Sequence, residues 1–131
     1  VWSLALRRRC PVASPFVDHF QGALLEGDVI LTGMVMQELL QNLGEGHVKD
    51  GIVAELDKLT LLMPGRADYQ RGAEVYTTCR RNGVQLGTVD ALIAALCIRR
   101  GLVLLSTDRD FEHAARFTAL KSWDPAAPAN T

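Results

Sequence analysis

The sequence predicts a three-layer α/β domain with a parallel sheet, on three observations. Short apolar runs alternate along the chain with longer amphipathic stretches, the pattern of strands joined by crossover helices. The runs lack the polar alternation of a half-exposed sheet, as expected where helices cover both faces. Apolar residues make up 48% of the 131 positions, enough for the core of one domain and too many for a disordered chain.

The elements follow in order. Residues 1–9 read as a helix fragment ending near Arg9, with Pro11 just beyond as a stop. Ser14 and Pro15 suit the cap and first turn of a helix that runs to about Glu26 and closes at Gly27. Val29–Leu31 is a short buried strand. Thr32 caps the next helix, whose apolar positions Val35, Met36, Leu39, Leu40 and Leu43 share one face before Gly44 ends it. A helix over about Val48–Leu59 leads to a strand at Leu61-Leu62-Met63, and Pro64-Gly65 breaks it. A long helix covers about Ala67–Asn82 and closes at Gly83. Thr88 caps a strongly apolar helix, Val89–Arg100, which stops at Gly101. Leu102–Leu105 is the clearest strand, because it contains no polar residue. A short helix over Asp108–Ala115 and an edge strand at Thr118–Lys121 complete a domain of residues 1–123. Pro125 and Pro128, set among alanines, mark 124–131 as a frayed tail.

Several function classes are disfavoured at once. No apolar run approaches the roughly 20 residues needed to span a bilayer. At the start, apolar residues precede Arg7, Arg8 and Arg9, the reverse of a secretory signal, so a cytoplasmic protein with no membrane partner is expected. The three cysteines, Cys10, Cys79 and Cys97, are odd in number and widely spaced, which suits buried thiols and neither a disulfide framework nor a zinc site. Net charge is −1, yet the Arg7–Arg9, Arg80-Arg81 and Arg99-Arg100 clusters can hold phosphate backbone locally. Taken singly, each reads first as a solvated helix end.

Chemistry is expected beyond the carboxyl ends of the parallel strands. Glu38 follows the strand ending at Leu31, Asp90 opens the apolar helix, and Asp108 follows the strand Leu102–Leu105. Gathered carboxylates repel one another, and a hard divalent cation with oxygen preference, Mg²⁺ or Mn²⁺, relieves that repulsion. Each acid also has a plain structural reading: Asp90 complements a helix dipole, Asp108 caps a helix, and Glu38 is solvated. Asp110 can bind metal directly or through water, or satisfy its own helix start, the reading preferred on the residues alone. Asp18 is poorly placed for a ligand, and His19, His47 and His113 show no ligand spacing.

Three segments carry a family resemblance. Thr32-Gly33-Met34-Val35-Met36-Gln37-Glu38-Leu39-Leu40, Thr88-Val89-Asp90-Ala91-Leu92-Ile93-Ala94-Ala95 and Leu104-Leu105-Ser106-Thr107-Asp108-Arg109-Asp110-Phe111 resemble, in order and spacing, the segments bearing the second, third and fourth metal-binding acids of PIN-domain ribonucleases of the VapC toxin type. The resemblance implies a PIN-like fold and an Mg²⁺- or Mn²⁺-dependent endoribonuclease. Glu38, Asp90 and Asp108 would be its catalytic, metal-holding residues, with Ser106 or Thr107 orienting a carboxylate or the water. It also implies an RNA substrate, a homodimer, and neutralisation by a cognate antitoxin of a type II toxin–antitoxin system. Val1-Trp2-Ser3-Leu4 is similar to the residues that follow the family's first acid, so the first, central strand with its Asp is expected upstream of Val1.

Two other readings compete. A PIN-like module without the first acid would bind RNA or antitoxin and not cut. A phosphoacceptor domain would need paired acids on its first strand, an Asp on a middle strand and a late strand-end Lys, a set with no convincing match here.

Overall fold

The computed structural model describes residues 29–41, 43–106 and 108–122. The expected helices over 1–9 and Ser14–Glu26, the Arg7–Arg9 cluster, Cys10, Asp18, His19, Thr107 and the tail 124–131 lie outside them. The chain divides into two units, Val1–Met63 and Pro64–Thr131.

In the first unit, β1 (Ile30–Thr32) enters α1 (Gly33–Gln41), and α2 (His47–Leu56) leads to β2 (Thr60–Leu62). The strands pair in parallel, with Leu31 opposite Leu61, as the intervening helices require. β1 extends one residue past the expected Leu31, and Thr32 serves both elements. Its backbone completes the strand while its Oγ1 accepts the Val35 N–H at 3.3 Å, satisfying a donor orphaned at the helix start. Leu31, Leu39 and Leu56 form the buried core, with Val35, Met36, Leu40, Ile52 and Leu59 packed against it. Val35, Met36, Leu39 and Leu40 are four of the five positions expected on the apolar face of α1; the fifth, Leu43, lies beyond the helix as described, Gly33–Gln41. The second helix ends at Leu56, short of the expected Leu59: the Asp57 N–H makes the last four-residue helical bond, to Val53, and the Lys58 and Leu59 N–H groups make tighter three-residue bonds to Glu55 and Leu56.

In the second unit, α3 (Arg66–Arg81), α4 (Thr88–Arg100), β3 (Val103–Leu104), α5 (Arg109–Ala115) and β4 (Lys121–Ser122) follow in order. Strands β3 and β4 pair in parallel, Val103 opposite Lys121 and Leu104 opposite Ser122. The strand expected over Leu102–Leu105 has only these two ladder residues. Leu102 is held instead by the helix before it, its N–H bonding to the Cys97 carbonyl at 2.8 Å. That bond and the Gly101 N–H to Ile98 form a left-handed helix stop around Gly101, at φ 64°. Helix α3 ends the same way, with Gly83 at φ 78° and the Val84 N–H on the Cys79 carbonyl. These two glycines occupy backbone conformations that a Cβ disfavours.

Helices α3 and α4 pack closely at Gly72, where a Cβ would stand 3.4 Å from the Leu92 Cα. Helix α4 is apolar nearly all round because most of it is buried: Ala91, Ile93, Ala94, Ala95, Leu96 and Cys97 all lie in the core. Its cap is Gly87, in an extended conformation and without a side-chain bond, so Thr88 is the first helical residue and not the expected cap.

Candidate functional site

Glu38 lies on α1, between exposed Gln37 and buried Leu39. The spacing that turns Val35, Met36, Leu39 and Leu40 toward the core of the first unit turns the Glu38 carboxylate outward. It makes a further interaction within the chain.

Asp90 occupies the first turn of α4, a rigid mount because the following turns are buried. Its side chain turns back toward the cap, with Oδ2 3.9 Å from where a Cβ on Gly87 would stand. Asp90 is half-buried and is itself engaged in the chain.

Asp108 is the cap of α5. Its Oδ1 accepts the Asp110 N–H at 2.9 Å, and its own N–H donates to Ser106 Oγ at 3.0 Å. Ser106, Asp108 and Asp110 are thus joined through backbone amides, which fixes the exposed Asp108 carboxylate at the helix start. Asp110 follows in the first helical turn, where an acid is favourable. Among the described residues, no three His, Cys, Asp or Glu within either unit stand close enough together to hold a metal ion. Chemically the donors are uniform: Glu38, Asp90, Asp108 and Asp110 offer only carboxylate oxygen, the set that suits Mg²⁺ or Mn²⁺ and not a softer metal.

One important acid was not singled out from the sequence. Asp68 is fully buried, 0% exposed, in the first turn of α3. Its Oδ2 accepts the Gly65 N–H at 2.7 Å, tying down the helix start. Arg99, in the last turn of α4, donates Nε to Oδ1 at 2.5 Å and Nη2 to Oδ2 at 2.9 Å. This fork-to-fork pair pins the start of one helix to the end of its neighbour. The Arg99 hydrogen bonds hold the Asp68 carboxyl below its ordinary value against the opposing effect of burial, and the Gly65 N–H assists. Arg99 therefore leaves the set of cations expected to meet phosphate: its fork is occupied by Asp68. The signal available in sequence was Gly65-Arg66-Ala67-Asp68, an acid three residues after a helix-breaking Pro64-Gly65, with no hint of its distant partner.

Arg80 has a different environment. Its Nη1 donates to Tyr76 Oη at 2.8 Å, and its guanidinium carbon lies 5.9 Å from the Tyr76 ring centroid. Cys79 and Cys97 are buried free thiols, and burial pushes Cys97 up to about 11. No helix among the described residues is long and apolar enough to cross a membrane.

Comparison with known proteins places these residues in context. The sequence profile of the PIN domain matches residues 13–117, a span that contains all four candidate acids. A VapC ribonuclease of Mycobacterium bovis is 32% identical over 59% of this chain and 62% of its own length. The ribonuclease VapC11 of Mycobacterium tuberculosis matches with the same identity and coverage. The chain thus spans about three fifths of the length of these curated relatives. The crystal structure of FitAcB from Neisseria gonorrhoeae superposes with a TM-score of 0.68, covering 92% of this chain and 93% of that one at 19% identity. At that identity the likeness speaks for the fold, a PIN-like α/β arrangement of helices and parallel strands.

Proposed function

We propose, from the premise that this chain belongs to the PIN domain family, that it is a metal-dependent endoribonuclease of the VapC toxin type, acting in the cytoplasm and restrained by a cognate antitoxin. The observation that carries the reading is the profile match over residues 13–117, which takes in Glu38, Asp90 and Asp108 in the order the resemblance requires. The ribonuclease relatives supply the reaction class. A homodimer and the antitoxin partner belong to the same reading.

Glu38, Asp90 and Asp108, with Asp110 two residues after Asp108, would hold the cation. When bound, a hard divalent ion supplies Lewis-acid polarisation of a phosphodiester oxygen and an activated water. The chain's own part is to present carboxylates that do not wander. Asp90 does so from the first turn of a buried helix. Asp108 does so through its bond to the Asp110 amide, while Ser106 holds the Asp108 backbone and so acts as a positioning residue. Thr107 is a further candidate for that role. Exposed cations such as Arg80, Arg81 and Arg100 would set the RNA backbone in register without choosing its sequence.

The alternative is a PIN-like module that binds RNA or antitoxin and does not cut. The deciding experiment is cleavage of a labelled RNA by the purified chain with Mg²⁺, with Mn²⁺ and with EDTA, alongside Asp90→Asn and Asp108→Asn. Cleavage that EDTA stops and that both variants lose by about 100-fold or more supports the proposal. A variant that cuts at the wild-type rate would overturn the assignment of its residue. Mn²⁺ and RNA binding without cleavage favours the non-cutting module.

A further inference from the structure

An open cavity of about 330 Å³ lies in the second unit where the last turns of α3, the connection after it and the start of α4 meet. Its buried members are Val84 and Leu86, and its polar members include Tyr76, Arg80, Gln85 and Thr88. It is small for a ligand pocket, with room for about one nucleotide and none for a duplex segment.

Among the described residues, Arg80 is the only charged one lining it. Tyr76 orients the guanidinium by accepting one of its N–H groups and presenting its ring, yet a guanidinium carries five donors. Among the described residues no carboxylate pairs with Arg80, in contrast to Arg99, whose fork is closed on Asp68. An oriented, unneutralised guanidinium beside an apolar floor, with an amide and a hydroxyl at hand, matches how proteins take single-stranded nucleic acid. The cation meets the phosphate, apolar or aromatic surface meets the base, and neutral polar groups meet the base edge or the 2′-hydroxyl. The candidate metal carboxylate of Asp90 lies close to one residue of the cavity wall. Gly87 lines it, and the Asp90 Oδ2 lies 3.9 Å from where a Cβ on that same glycine would stand.

We propose that this cavity is a nucleotide subsite, holding the RNA residue next to the cleaved phosphodiester with Arg80 on its phosphate and Gln85 and Thr88 on the polar edge of its sugar or base. The proposal rests on the reading of Asp90 as part of an RNA-cutting centre. It makes Arg80 a binding residue for substrate and gives Tyr76 a positioning role behind it.

The test compares the full chain with Arg80→Met, Arg80→Lys and, as a control for general loss of positive charge, Arg116→Met, an exposed arginine outside the cavity. The probe is a short fluorescent single-stranded RNA, followed by cleavage in Mg²⁺ and by binding in EDTA across a salt series. The expected result for Arg80→Met is a KM raised about 5–10-fold with kcat within about twofold. Its log–log salt slope should fall by about 0.7, the value for one lost phosphate contact on a single strand. Lysine should restore the slope and only part of the KM, because it lacks the planar fork. If the wild type cuts RNA while Arg80→Met changes KM and slope no more than Arg116→Met does, the subsite is overturned and the ribonuclease reading stands. Unchanged RNA binding with weakened capture of the cognate antitoxin overturns it in favour of a protein-docking surface. A wild type that neither binds nor cuts RNA overturns both.

Discussion

Replacing Asp68 by alanine removes a carboxylate that is 0% exposed and leaves behind an arginine that is 37% exposed. Breaking a fully buried ion pair costs about 3–5 kcal/mol because the remaining charge is stranded. Here the remaining Arg99 reaches solvent and rehydrates in part, which lowers the figure. The lost acceptor for the Gly65 N–H adds back about 1 kcal/mol, the usual cost of an uncapped helix start. We expect a net loss of about 3 kcal/mol, or about 10 °C in melting temperature for a chain of this size, read by circular dichroism at pH 7. Asp68→Asn should lose less, since it keeps the volume and one acceptor.

The pH dependence supplies a second check. In the fold, the Arg99 hydrogen bonds hold the Asp68 carboxyl below its ordinary value of 3.8. The unfolded chain therefore binds the proton more readily, and the contribution is whole above that ordinary value and is lost as pH falls through the lowered one. The stability gap between wild type and Asp68→Asn should stay constant from about pH 7 to pH 5 and narrow below about pH 4. A melting temperature for Asp68→Ala within about 2 °C of wild type, or a gap that widens on acidification, would refute the assignment of Asp68 as the acid joining α3 to α4.

Three further outcomes are expected. Asp108→Asn should keep the cap of α5 and melt within about 0.5 kcal/mol of wild type while losing RNA cleavage, whereas Asp108→Ala should lose cleavage and also about 1 kcal/mol of stability; full activity in the asparagine variant would leave Asp108 a cap alone. Gly72→Ala should be nearly neutral, because its methyl would meet Leu92 at 3.4 Å while the helix gains about 1 kcal/mol in propensity; Gly72→Val, which forces α3 away from α4, should cost about 2–3 kcal/mol in urea unfolding. Cys79 and Cys97, both buried with raised thiol values, should resist a thiol reagent at pH 8 in the native protein and label fully in denaturant, as read by peptide mass spectrometry.

The elements that carry Glu38, Asp90 and Asp108 were legible because each lies in a segment whose period and punctuation name its element. Thr32 before an apolar stripe marks a strand-to-helix turn, and Asp108 two residues after Ser106 marks a cap. Strand lengths were less legible. The run Leu102–Leu105 has no polar residue, yet only Val103 and Leu104 pair with β4, because the helix stop at Gly101 takes the Leu102 amide for itself. Thr88 looked like a cap because it bears a hydroxyl before an apolar run, while the backbone chose Gly87 one residue earlier.

Sequence alone determined what depends on neighbours along the chain: the order of helices and strands, their parallel pairing, the glycine stops at positions 83 and 101, and the family. The elements, their pairing and the stops follow from period, capping and handedness within one or two turns, and the family from the resemblance of three segments. Tertiary structure decided what depends on distant residues. Asp68 and Arg99 are 31 positions apart, and no local rule couples them, so only packing of α3 on α4 shows that one arginine is bound to a buried carboxylate. Arg80, which looks the same in sequence, is left oriented beside a cavity. The two arginines differ because a charge's role is set by what surrounds it in space, and local sequence does not contain that.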